Sequence, residues 1–169
     1  MVETMTTRRN VLLGAALGVL AGAGAFSAFT ASGAPNTSSD TFPVHHTDEE
    51  WRNLLSPAAY DVLRNAGTER PYSSPLNDEH RSGTFVCAGC GQALFSSTTK
   101  FDSGTGWPSF WKPLDNAVVG RPDHSEGMSR DEVLCSRCGG HLGHVFDDGP
   151  PPTGLRFCMN GVAMGFQPA

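Results

Sequence analysis

Five cysteines and six histidines are the groups in this 169-residue sequence with the widest chemistry. Four of the cysteines form two units, Cys87-Ala88-Gly89-Cys90-Gly91 and Cys135-Ser136-Arg137-Cys138-Gly139, with 44 residues between them. A two-residue gap lets both thiolates of a unit reach one ion. The glycine that follows tolerates the positive φ that turns backbone amides toward sulfur. Together the units predict a closed tetrahedral set of four thiolates with no open position for a substrate. Zinc is the expected occupant, with iron an alternative at the same ligands. Two redox pairs or two disulfides are the competing readings. A redox CxxC ordinarily opens a helix after a strand, whereas glycine follows each unit here.

An odd count leaves Cys158 over, in Gly154-Leu155-Arg156-Phe157-Cys158-Met159-Asn160. On a strand, the period of two puts Arg156, Cys158 and Asn160 on one face. A cation there favours the thiolate, the nucleophilic form. His141 and His144 lie in Gly140-His141-Leu142-Gly143-His144-Val145-Phe146-Asp147-Asp148. A thiol with histidine nearby is a nucleophile-plus-acid arrangement; surface or metal-adjacent histidines are the plainer alternative. Gly104-Thr105-Gly106-Trp107-Pro108-Ser109-Phe110-Trp111 is an aromatic loop stiffened by Pro108, able to wall an apolar ligand or simply to pack a core.

The elements that must carry these groups change in character along the chain. Thr47-Asp48-Glu49-Glu50 is a capping box that opens a short helix through about Leu55. Ser56-Pro57 restarts a helix, with Gly67 at the position of a C-cap glycine. From Arg81 onward, short apolar segments alternate with Gly, Pro and Asp: Thr84–Val86, Ala93–Ser96, Ala117–Val119, Val133–Leu134, Val145–Phe146, Leu155–Met159 and Val162–Phe166. The expected fold is mainly β, with small antiparallel sheets around the four-cysteine site and short helices at its N-terminal side.

Gly 20 and Pro 12 make up about a fifth of the chain, below the roughly 25–30% of disordered sequences, and ten Phe with three Trp can build a core. The net charge of −5 argues against a sequence-independent grip on nucleic acid. At the N-terminus, Arg8-Arg9 precedes an uncharged run from Val11 to about Ala34, rich in Ala and Gly. That order resembles a twin-arginine export signal, either cleaved or retained as a membrane anchor. The expected division is an export signal over 1–34, a polar linker over 35–46 and one domain over 47–169, destined for the periplasm or cell envelope.

From Thr47 to Phe166 the sequence resembles peptide-methionine (R)-S-oxide reductases, the B class of methionine sulfoxide reductases. The resemblance rests on Cys87-x-x-Cys90, the run from Ser103 to Phe110, Cys135-x-x-Cys138, the run from His141 to Pro150, and Arg156-Phe-Cys-Met-Asn160. It implies that Cys158 attacks the sulfoxide sulfur of the R epimer and becomes a sulfenic acid, while methionine leaves. It places Trp107 against the substrate methyl group, with Phe110 beside it, and His141, His144 and Asn160 around the sulfoxide oxygen. Arg156 is expected to keep Cys158 ionised, and Asp148 to support the histidines. The same resemblance makes the zinc structural and the partners oxidised proteins and a thioredoxin-like or other thiol reductant, with a monomer expected.

The sequence departs from the family pattern at several positions. Thr105 stands where many members carry a recycling cysteine, which predicts direct reduction of the sulfenic acid by an external thiol. Gly161 replaces a usual serine, and Met164 and Gly165 replace commoner residues. The competing classes are a zinc-ribbon binding module, which the acidic balance and spare thiol disfavour, and a thiol oxidoreductase using its CxxC pairs, which tight metal binding would exclude.

Overall fold

The structure is a computed structural model and describes residues 42–169. The expected export signal and most of the expected linker lie outside the described residues. Helix α1 (Asp48–Leu54) begins with the reciprocal cap the sequence predicts. Glu50 N–H donates to Thr47 Oγ1 at 3.2 Å, and Thr47 N–H donates to Glu50 Oε2 at 2.7 Å. In α2 (Pro57–Asn65), Ser56 Oγ accepts from Ala59 N–H and Pro57 occupies the first turn. The left-handed residue that ends α2 is Ala66, at φ 55°, rather than Gly67. Glycine follows for lack of room, because a Cβ at 67 would lie 2.4 Å from the Asp61 carboxylate.

Nine short strands follow: β1 (Gly83–Cys87), β2 (Ala93–Ser96), β3 (Lys100–Phe101), β4 (Ser109–Phe110), β5 (Val118–Asp123), β6 (Arg130–Cys135), β7 (His141–Phe146), β8 (Arg156–Met159) and β9 (Met164–Pro168). They form two antiparallel sheets, ordered β2-β1-β9 and β3-β4-β8-β7-β6-β5. All seven predicted segments fall on strands. The last begins later than expected, because Gly161–Ala163 is a 3₁₀ turn. The sequence did not reveal β3 and β4, whose two residues each are too few to show a period.

Between the sheets lies an aromatic core. Phe110 stacks on Phe95 at 4.3 Å between centroids, and Phe85 meets Phe110 edge-on at 4.9 Å. Phe157 joins from β8, and all four rings are fully buried. Such rings carry the largest burial per residue available to a domain of this size. Strand β8 thus alternates, with Phe157 and Met159 inward and Arg156 and Cys158 toward the half-exposed face. Part of the expected linker also packs on the domain: Val44 N–H donates to Arg137 O at 2.8 Å, and the His46 ring meets Trp51 edge-on.

Candidate active site

The four knuckle cysteines converge from two hairpin-like turns. Cys87 Sγ lies 3.7 Å from Cys138 Sγ, Cys90 Sγ lies 3.5 Å from Cys135 Sγ, and all four ligand atoms fall within 4.8 Å of one another. Tetrahedral ligation at about 2.3 Å per sulfur needs edges of about 3.8 Å, so the set fits a metal ion. These separations are far beyond the roughly 2.05 Å of a disulfide. Gly91 and Gly139 take φ of +70° and +65°, the positive values the motif requires, and each N–H donates to the carbonyl of its unit's first cysteine. Hydrogen bonding to Cys135, Cys138 and Cys90, and then burial, pushes the Cys87 thiol far up. Ionising all four sulfurs at such short range would need a cation between them.

Cys158 stands apart from this set, on β8. The ladder places Ser109 opposite Cys158, Cys158 opposite His144, His144 opposite Glu132, and Glu132 opposite Arg121. One rung across five strands therefore carries a thiol, an imidazole, a carboxylate and a guanidinium. Residues opposite each other on adjacent antiparallel strands share a face, which is why positions far apart in sequence meet here. Thr105 Oγ1 reaches to 3.8 Å from Cys158 Sγ, and Ser103 Oγ links Thr105 at 2.8 Å to Ser109 at 2.7 Å. A chain of hydroxyls thus backs the thiol.

Each histidine has its own carboxylate. His141 Nδ1 lies 2.7 Å from Glu132 Oε1, and Glu132 also accepts from Arg121. Burial alone would raise the Glu132 carboxyl, but the hydrogen bonds from His141 and Arg121 more than offset it and hold it below its ordinary value. His141 is only 3% exposed, and its Nε2 has no hydrogen-bond partner among the described residues. That leaves one ring nitrogen able to serve a ligand. His144 Nε2 lies 2.8 Å from Asp123 Oδ2, and the two histidine rings meet at 5.4 Å. Burial holds His144 below its ordinary pKa against the pull of Asp123. With Arg121 and Arg130 these groups line a cleft of about 290 Å³.

Several expected placements differ. Asp148 does not reach the histidines. Both its oxygens accept from Arg156, at 2.8 and 2.9 Å. The carboxylates that do, Asp123 and Glu132, escaped the sequence reading, because only the β5-β6-β7 register brings them across. Arg156 acts on Cys158 as expected but does not win. Burial raises the Cys158 thiol, and the Thr105 hydroxyl, Arg156 charge and Ser109 hydroxyl only partly offset it. Arg156 is itself neutralised by Asp148 and lies over the Phe146 ring at 4.3 Å.

Phe110 is wholly buried in the core and offers no wall to a ligand. Trp107 is half-buried, and its indole N–H donates to Glu69 O at 3.1 Å. Asn160 is buried just past the end of β8. Its Nδ2 donates to Leu142 O and its Oδ1 accepts from Glu69 N–H, so most of its capacity ties strands together. The departure at Gly161 has a steric cause: a Cβ there would lie 2.0 Å from Ser74 Oγ and 2.4 Å from Ser74 Cβ. A Cβ at Gly165 meets only Val86 at 3.5 Å, an ordinary contact, so nothing in the structure requires glycine there.

The stretch of chain that carries both the lone thiol opposite His144 and the separate four-cysteine set is the part that the comparisons match. The SelR domain family matches residues 55–168, which span both centres. The chain belongs to that family. A peptide methionine sulfoxide reductase MsrB of Leptospira interrogans is 52% identical over 127 residues, 75% of this chain and 97% of the relative. The MsrB of Bradyrhizobium diazoefficiens is 56% identical over 126 residues, covering 74% and 91% respectively. That of Methanosarcina mazei is 53% identical over 124 residues, covering 73% and 89%. This MsrB-family chain is an oxidoreductase, and its mainly β architecture with four clustered cysteines fits that fold.

Proposed function

We propose that this protein reduces the R epimer of methionine sulfoxide in oxidised proteins and peptides. In the first step the Cys158 sulfur attacks the sulfoxide sulfur, the oxygen passes to the cysteine as a sulfenic acid, and methionine leaves. The thiol proton balances this step, since thiol plus sulfoxide yields sulfenic acid plus thioether. Charge gathers on the sulfoxide oxygen as sulfur is attacked, so a proton donor there lowers the barrier. His141 supports this role, with Nδ1 toward Glu132 and Nε2 left for a ligand; its imidazolium form would donate from that nitrogen. His144, held by Asp123, is the second candidate on the same face.

Two external thiols then complete the cycle, giving water, a disulfide between them and the restored Cys158. Thr105 beside Cys158 supports reduction by an outside thiol, such as a thioredoxin-like protein, because a hydroxyl cannot form a disulfide. Zinc is the proposed ion at Cys87, Cys90, Cys135 and Cys138, where four thiolates leave no open position and the role is structural. Residues 1–34 are proposed as a twin-arginine-type export signal, 35–46 as a linker and 47–169 as the reductase domain.

The observation that carries this reading is Cys158 set opposite His144, outside the metal set, in a chain of the SelR family. The test is turnover of separate R- and S-sulfoxide peptides by the full chain with dithiothreitol, beside Cys158→Ser. Turnover of R alone, abolished in Cys158→Ser, is the expected result. Turnover of S, or activity that survives the substitution, overturns the reading.

A further inference from the structure

We propose that Glu69 is a positioning residue that sets the placement of Trp107 relative to Cys158, an inference resting on the functional reading above. Glu69 lies in the irregular segment between α2 and β1, where no ladder holds the chain. Hydrogen bonds from its backbone and side chain converge on both halves of the site. Its carbonyl accepts from the Trp107 indole at 3.1 Å. Its N–H donates to Asn160 Oδ1 at 2.9 Å, and its carboxylate accepts from Gly161 N–H at 2.6 Å and Val162 N–H at 2.9 Å.

The aromatic loop and the turn that ends the Cys158 strand are thereby tied to one residue. Tyr72, three positions on, fastens the loop again: its N–H donates to Gly106 O at 2.7 Å and its hydroxyl to Gly104 O at 2.8 Å. Hydrogen bonds to a carboxylate are about twice as strong as neutral ones. The paired bonds to Gly161 and Val162 also fix the side chain in one rotamer. That rotamer fixes the backbone of Glu69, and with it the carbonyl holding the indole. Loosening a group that holds the substrate while the nucleophile stays in place shows mainly as a raised KM.

Glu69→Ala removes both carboxylate acceptors, whereas Glu69→Gln keeps one acceptor in the same shape. In Glu69→Ala, KM for the R-sulfoxide peptide should rise about tenfold or more, with kcat moved less. Glu69→Gln should fall between Glu69→Ala and wild type. Alkylation of Cys158 by iodoacetamide should stay within about twofold of wild type in both variants, since the hydrogen bonds of Glu69 go to Trp107, Asn160, Gly161 and Val162 rather than to the thiol. The Trp107 share of the fluorescence, taken as wild type minus Trp107→Phe, should shift to the red in Glu69→Ala.

Unchanged KM together with unshifted emission overturns the proposal. Loss of alkylation, bound zinc and turnover in step also overturns it, because that pattern means a loosened fold. If Glu69→Ala does not fold, Glu69→Gln decides by the same readouts. A wild-type protein without R-sulfoxide turnover sinks the functional reading instead, and the emission shift still tests the link between Glu69 and Trp107.

Discussion

At Cys158 two electrostatic effects compete, and their balance was not visible in the residue types. A guanidinium two residues away favours the thiolate, but burial opposes it and Asp148 absorbs much of the Arg156 charge. The net effect holds the thiol above its ordinary range, toward its protonated form. Raising the pH ionises it, so iodoacetamide alkylation of Cys158 should accelerate with pH and reach its midpoint above that of an exposed thiol. Arg156→Met removes a charge that lowers the pKa, so the midpoint should move further up. Alkylation at pH 8 should then slow about tenfold for each unit of that shift. A faster rate in Arg156→Met would mean that Arg156 restrains the thiol rather than assisting it. Burial also decides the position of Phe110, which stacks within the aromatic core. Phe110→Ala should cost about 3–5 kcal/mol of stability by denaturant melt, while Phe110→Leu keeps the fold with KM unchanged. A raised KM in Phe110→Leu would restore it to the substrate side.

Among the elements, β7 and β8 meet so closely that no side chain fits at Gly143. A Cβ there would lie 2.1 Å from the Cys158 carbonyl. Gly143→Ala must push β8 away from β7, parting Cys158 from His144. Stability should fall by about 3 kcal/mol and turnover by more than the folded fraction accounts for. The turn after β8 offers a cleaner test, because its two partners can be exchanged. Gly161→Ser alone overlaps Ser74 and should cost about 1–3 kcal/mol. Gly161→Ser with Ser74→Gly should recover part of that loss, though not the Ser74 cap on Leu76 N–H. Additive losses in the pair would show that the two sites do not share space. Neither close approach is written in local sequence. Gly143 and Cys158 are 15 positions apart and Ser74 and Gly161 are 87 apart, so only the packed sheets reveal them.

For the molecule as a whole, the four-cysteine cluster joins the turn after β1 to the turn after β6, and thus one sheet to the other. Removing the proposed zinc with a chelator should lower Tm by roughly 10 °C or more, with metal content and melting followed in the same sample. Turnover of the fraction still folded should persist, because Cys158 lies outside the cluster. An unchanged Tm after complete removal would show that the aromatic core alone holds the sheets together. The sequence already carried everything that depends on near neighbours: the caps at Thr47 and Ser56, the paired knuckles with their glycines, the strand alternation around Cys158, and the family. Packing chose the rest. It set Asp123 and Glu132 on the histidines, gave Asp148 to Arg156, turned Phe110 inward, and tied Glu69 to both halves of the site. Spacing of a few residues fixes which atoms one turn or one knuckle brings together. Contacts between distant strands depend instead on ladder register and on the depth of burial, which arise only when the sheets close on a common core.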